Sequence, residues 1–210
     1  MLPLAAAIAL VLSVSLVLGT AILTLSGIEH RGPLAAPVGF AALLVLAGLC
    51  IHLPGRAATC AVIVAVVVLA SLVYIAHAAG RSPFPLWTVA VAAAAVLVAL
   101  IPFAAAGHVG LLGVGTNDDM SEHLLAAWAL QGHAPINSGS LIGSGYPIGP
   151  HAIAAAISTA TGISLERAFT GLIVAVPALL ALAAGRPTMG TLTKRGRHRT
   201  PGREKTVNTG

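Results

Sequence analysis

Apolar residues in this chain come in long unbroken blocks, with none of the short alternation of half-buried strands, and the blocks set its expected architecture. Runs extend over Leu4 to Leu25, Leu34 to Leu53, Ala57 to Ala79 and Phe84 to Ala106. Each reaches the roughly 20 residues that a helix needs to cross a hydrocarbon core of about 30 Å. Gly or Pro and a single arginine (Arg31, Arg56 or Arg81) separate them, as in tight turns between antiparallel neighbours. Residues 1–106 are therefore expected to form four transmembrane helices. The first run lacks a basic leader and a small-residue cleavage site, so it reads as a retained helix and not a signal peptide.

Residues 107–150 interrupt the pattern with nine glycines, three prolines, three acids and no Lys or Arg. Basic residues are retained on the cytoplasmic side, so a loop without any is expected to be extracytoplasmic. After it, Ala152 to Ile163 is apolar but rises only about 18 Å as a helix, too short to cross. That stretch is expected to be interfacial, re-entrant or packed within the protein. Leu165 to Ala184 is long enough for a fifth span, with Pro177 expected to kink it. The expected organisation is thus four spans in 1–106, an extracytoplasmic loop with short helices in 107–163, a fifth span in 164–185 and a tail in 186–210.

Composition strengthens this reading. The 210 residues are 57% hydrophobic and 8% charged, against about 25% charged in a soluble domain, and mean hydropathy is +0.95. The formal charge of +5 is unevenly placed. Residues 1–185 carry four basic and five acidic side chains, whereas the last 25 carry seven basic residues against Glu204. A basic segment after a span marks the cytoplasmic side, so the charge speaks for topology and against a nucleic-acid partner. Counting back from the loop places the N-terminus outside, with Arg31 and Arg81 inside and Arg56 as an exception on the outer face. The tail is expected to be a disordered basic cytoplasmic segment. Its abrupt polarity from Arg186 reads as a longer frame cut or shifted, which would make the chain an N-terminal fragment. The expected setting is an integral, multi-pass plasma membrane protein in contact with membrane lipids. Cys50 and Cys60 read as small apolar fillers, although the turn between their helices leaves a disulfide conceivable. His52 and His77 fall at span ends, where an imidazole reaches headgroups.

The loop carries the candidate chemistry. Asn117, Asp118, Asp119, Met120, Ser121, Glu122 and His123 gather three of the chain's six acids and an imidazole. A helix starting at Thr116 or Asn117 would place the acids in its first turns, where the dipole favours them. On it, Asp119, Glu122 and His123 would share one face, and Met120, Leu124, Ala127 and Trp128 an apolar one, as in an amphipathic helix on the outer leaflet. Such carboxylates can act as a general base, or Asp118 and Asp119 can hold a hard cation such as Mg²⁺ or Mn²⁺. Asp119-x-x-Glu122-His123 lacks the first histidine of the inverted zinc-protease pattern. Gly110-x-x-Gly113-x-Gly115 follows no strand and is no nucleotide fingerprint. Further on, Gly145-Tyr146-Pro147-Ile148-Gly149-Pro150-His151 should open a helix, with Pro150 at its first position. His151 at that N-terminus could join free amides in cradling a phosphate.

In this order, a span, Asn117-Asp118-Asp119 with Glu122-His123, then Tyr146-Pro147-x-Gly149-x-His151, the chain resembles membrane glycosyltransferases of the GT-C superfamily, closest to multi-span actinobacterial members. The likeness covers roughly residues 100–185. It implies an all-α polytopic transmembrane bundle that transfers sugar from a polyprenyl-phosphate-linked donor at the outer face. It also implies Asp118 or Asp119 as the catalytic acid position, with Glu122, His123, Tyr146 and His151 in substrate binding and His151 toward the donor phosphate. The alternative is a non-catalytic integral membrane protein, a scaffold or transporter component, whose acids only cap a helix. The near absence of ionisable residues in the spans disfavours an ion-coupled carrier.

Overall fold

A computed structural model describes residues 1–28, 32–78, 86–108, 119–133 and 141–185. These residues form seven helices and no strand: α1 (Leu2–Leu25), α2 (Ala35–Cys50), α3 (Arg56–Ala78), α4 (Leu86–Ala106), α5 (Asp119–Leu130), α6 (Gly149–Thr161) and α7 (Leu165–Ala184). The protein is an all-helical membrane protein, with four helices long and apolar enough to cross a bilayer: α1, α3, α4 from Trp87, and α7. Expectation and structure differ at α2. Its apolar run continues to Leu53, but the helix stops at Cys50 and residues 51–55 form turns. Pro54 and Gly55 (φ 85°) follow immediately, and the 16 helical residues rise about 24 Å, short of a full crossing.

Small residues decide how the long helices meet. A Cβ on Gly19 would collide with the Ala35 carbonyl and lie 2.7 Å from the Gly39 nitrogen; one on Gly39 would collide with the Ser15 carbonyl. α1 and α2 therefore touch backbone to backbone and run antiparallel. In lipid, where burying apolar surface gives no net drive, such close packing is the main attraction between helices. α7 runs parallel to α1: its Gly171 abuts the Ala7 side chain, and Leu179 and Leu182 cluster with Leu12 and Leu16. α4 lies antiparallel along α7, its Trp87 indole against Gly185 and Ala92 beside the Leu179 cluster. The N-terminal ends of α1, α3 and α7 thus share one end of the bundle with the C-terminal ends of α2 and α4.

α6 fills that end. His151 to Ile157 are all buried, packed against α2, α3, α5 and α7. The first half of this stretch is packed within the protein, whereas Thr159 to Gly162 are exposed. The alanines of Ala152, Ala154, Ala155 and Ala156 make it thin enough to fit, and Gly149 brings its first turn against the Leu44 carbonyl. α6 ends at Gly162 in the left-handed conformation (φ 72°), whose N–H donates to the Ser158 carbonyl. α7 then continues through Pro177 as an unbroken helix. Cys50 and Cys60 are buried free thiols, the filler role expected of them. Arg31, Arg81 and the basic tail lie outside the described residues.

Candidate functional site

The helix expected after Asn117 begins, among described residues, at Asp119; Thr116, Asn117 and Asp118 lie outside them. Asp119 and Glu122 occupy its first turn and are exposed. His123, one helical turn after Asp119, lies near it on the helical wheel, as expected, and also within the sector of the buried Ala127 and Leu130; the acids at the open start of the helix stay exposed, whereas His123 is half-buried. Trp128, expected on the apolar face, is 44% exposed and stacks on His133 with ring centroids 5.4 Å apart.

Two clasps hold α5 in place. Arg56, at the start of α3, donates from Nη1 to the Ala129 carbonyl at 2.9 Å. This places a cation on the last turn of α5, where free carbonyls and the negative dipole end favour it. The exception to the charge pattern thus has a structural task. Gln131 donates from Nε2 to Ser158 Oγ on α6 at 3.0 Å.

With α5 fixed, residues 28 positions apart meet. His123 Nδ1 and His151 Nε2 stand 2.9 Å apart, a hydrogen bond in which one ring donates and the other accepts. Their centroids are 5.0 Å apart. Tyr146 lies 5.6 Å from the His123 ring and edge-on to His151 at 5.8 Å. Phe169, on α7, meets His151 edge-on at 5.7 Å. His151 is only 3% exposed, and its Nδ1 has no hydrogen-bond partner among the described residues. Burial, reinforced by the nearby His123, lowers the His151 pKa from 6.5 to about 4, so the ring is neutral at ordinary pH.

These rings wall a cleft of about 530 Å³, closed on its far side by Leu44 and Val45 of α2 and at its base by Gly149 and Pro150. Of the expected substrate-binding residues, His123, Tyr146 and His151 line it and Glu122 does not; nor does Asp119, expected at the catalytic position. Val45 is 63% exposed on the apolar flank of the bundle. Phe169, Leu44 and Val45 carry no signal in the sequence, being ordinary apolar helix residues until the helices are packed. Around the α2–α6 contact lies a second cavity of about 430 Å³ between α1, α2, α3 and α6, lined almost wholly by aliphatic side chains such as Leu43, Val64 and Ile157. No group of three metal-ligating side chains occurs among the described residues.

Fold and cleft together define a helical membrane protein with a largely apolar pocket, walled in part by two histidines, opening beside an apolar flank. No protein-family model matches the chain, and no curated protein or solved structure is detectably similar to it.

Proposed function

We propose that the protein is a GT-C-like membrane glycosyltransferase that takes a sugar from a polyprenyl-phosphate-linked donor at the outer face of the plasma membrane. The observation that carries this reading is the convergence of His123, Tyr146 and His151 on one cleft whose opposite wall is the exposed aliphatic Val45. An amphiphile fits such a site. Its charged head meets imidazole and phenol donors while its chain stays in the apolar phase beside Val45.

In this reading Asp118 or Asp119 accepts the acceptor hydroxyl proton as general base, and Asp119 at the start of α5 is one helical turn from His123. Exposed carboxylates of Asp119 and Glu122 suit a hard cation. When bound, Mg²⁺ or Mn²⁺ would neutralise donor phosphate charge; the imidazoles hold the head without it.

The test is sugar transfer in proteoliposomes supplied with a polyprenyl-phosphate sugar and an acceptor extract. Asp118→Asn and Asp119→Asn should include one variant slowed by about 10² to 10⁴, the usual contribution of a general base. Circular dichroism should be unchanged, because Asn retains capping ability. Transfer at the parent rate by both single variants and the double variant would refute the assignment.

A further inference from the structure

We propose that the His123–His151 pair makes the cleft a proton-linked phosphodiester site, in which the anion is held at His151 and the accompanying proton at His123. The inference deepens the donor-binding reading above and rests on it for the identity of the anion as a lipid-linked phosphate.

His151 engages His123 through Nε2, so Nδ1, the nitrogen nearer its own main chain, belongs to the first turn of α6. There the amide groups of a helix have no carbonyl of their own, and the dipole end is positive. This Nδ1 is sealed from water, unpartnered among the described residues, and part of a ring that lines the cleft. A buried polar atom without a partner is costly, and such sites await an explanation.

A neutral imidazole carries one N–H. For Nδ1 of His151 to donate to an anion, its Nε2 must be bare and accept the Nδ1–H of His123. The outer nitrogen of His123, Nε2, is then the only remaining site on the pair for another proton. His123 is half-buried, so that nitrogen is reachable. The buffer acid gives up a proton that bonds there, leaving its conjugate base in solution; no bond in the pair breaks, and the cationic charge offsets the bound anion. Burial keeps His151 itself from taking that proton. An anion at His151 and a cation at His123 attract one another, so the uptake of one favours the other.

Other charges on the surrounding helices are placed differently. Asp119 and Glu122 are exposed on α5, and Glu166 and Arg167 are exposed at the start of α7. α3 brings Arg56, directed at Ala129, and α2 only the Cys50 thiol. Tyr146 is the ionisable side chain in ring contact with both imidazoles.

Isothermal titration of the full chain tests this, in buffers of different ionisation enthalpy, so that proton uptake is read directly. The soluble probe is dimethyl phosphate, a monoanion at every pH used, so any proton taken up is bound by the protein. The membrane probe is phosphatidylglycerol in nanodiscs otherwise made of phosphatidylcholine. For the parent, at least one probe should bind with uptake approaching one proton and tighten toward about tenfold per unit as pH falls from 7.5 to 6. Response to phosphatidylglycerol alone assigns a lipid headgroup, and response to both assigns the phosphodiester itself. His123→Gln should bind the probe without proton uptake. His151→Asn, whose amide can stand near the original Nδ1, should also lose uptake, and its circular dichroism reports folding. Proton uptake unchanged in a folded His123→Gln variant, or pH-independent binding by the parent, would overturn the linkage. No binding of either probe would overturn the site. The general-base assignment is unaffected by these outcomes, because it is read from sugar transfer in the Asp variants.

Discussion

Arg56 shows how one residue fixes the geometry of others at a distance. Its backbone lies in the left-handed region at φ 43°, costly for a side chain with a Cβ, while its guanidinium holds the last turn of α5. Arg56→Ala should destabilise α5 by about 1 to 3 kcal/mol, the range for a charge-assisted hydrogen bond. Hydrogen exchange should accelerate in α5 amides and not in α1. His151 makes a separate expectation about pH. Its folded pKa, about 4, lies below the ordinary 6.5, so the unfolded chain binds the proton first as pH falls. The stability from a neutral buried imidazole is complete above about 6.5 and is lost progressively toward 4. Thermal unfolding in detergent should show this loss, and His151→Phe should flatten the slope over that window.

At the scale of elements, the long helices were legible because each needs only a run of apolar residues. α3 and α7 lie within a residue or two of their expected bounds. The end of α2 was misplaced because hydropathy continues past Cys50 while Pro54 and Gly55 turn the chain. α6 was legible as a helix start from Gly149-Pro150, but its burial was not, since small residues such as Ala155 suit a wet surface or a tight interface equally well. For the site, His123, Tyr146 and His151 were visible as residue types in a loop. The inward turn of His123 was not, because it shares a side of the helix with both the exposed Asp119 and the buried Leu130, and only packing decides how far along the helix that side is covered. Phe169 and Val45 join the site through contacts more than 15 residues away in sequence, which periodicity does not record. Packing at glycine also makes a prediction. Gly39→Val should separate α1 from α2 and cost about 1 to 3 kcal/mol or more, as overpacking does. Gly48→Ala, whose added Cβ would meet Gly149 no closer than 3.8 Å, should be tolerated. Denaturation in mixed micelles measures both.

For the whole molecule, the bundle has two distinct ends, and the cleft sits at the one that gathers α5 and α6. The proposed outer-face site requires this end to be extracytoplasmic, the side expected of a loop without Lys or Arg. A cysteine at Ser144, exposed at the cleft end, should react with an impermeant maleimide on intact cells. One at Ser26, exposed at the far end of α1, should react only after permeabilisation. The opposite pattern would invert the topology and place the cleft in the cytoplasm.

The claim that the histidine-walled cleft receives a lipid-linked phosphate is tested most directly by photocrosslinking. A polyprenyl phosphate with a diazirine beside its phosphate would be reconstituted with the full chain, and labelled residues mapped by mass spectrometry. Labelling should concentrate on Tyr146, Pro147, Leu44 and Val45 around the cleft and fall with excess unlabelled polyprenyl phosphate. Labelling confined to the exposed faces of α3 and α4, at residues such as Val62, Val66 and Leu97, and indifferent to competitor, would contradict the account.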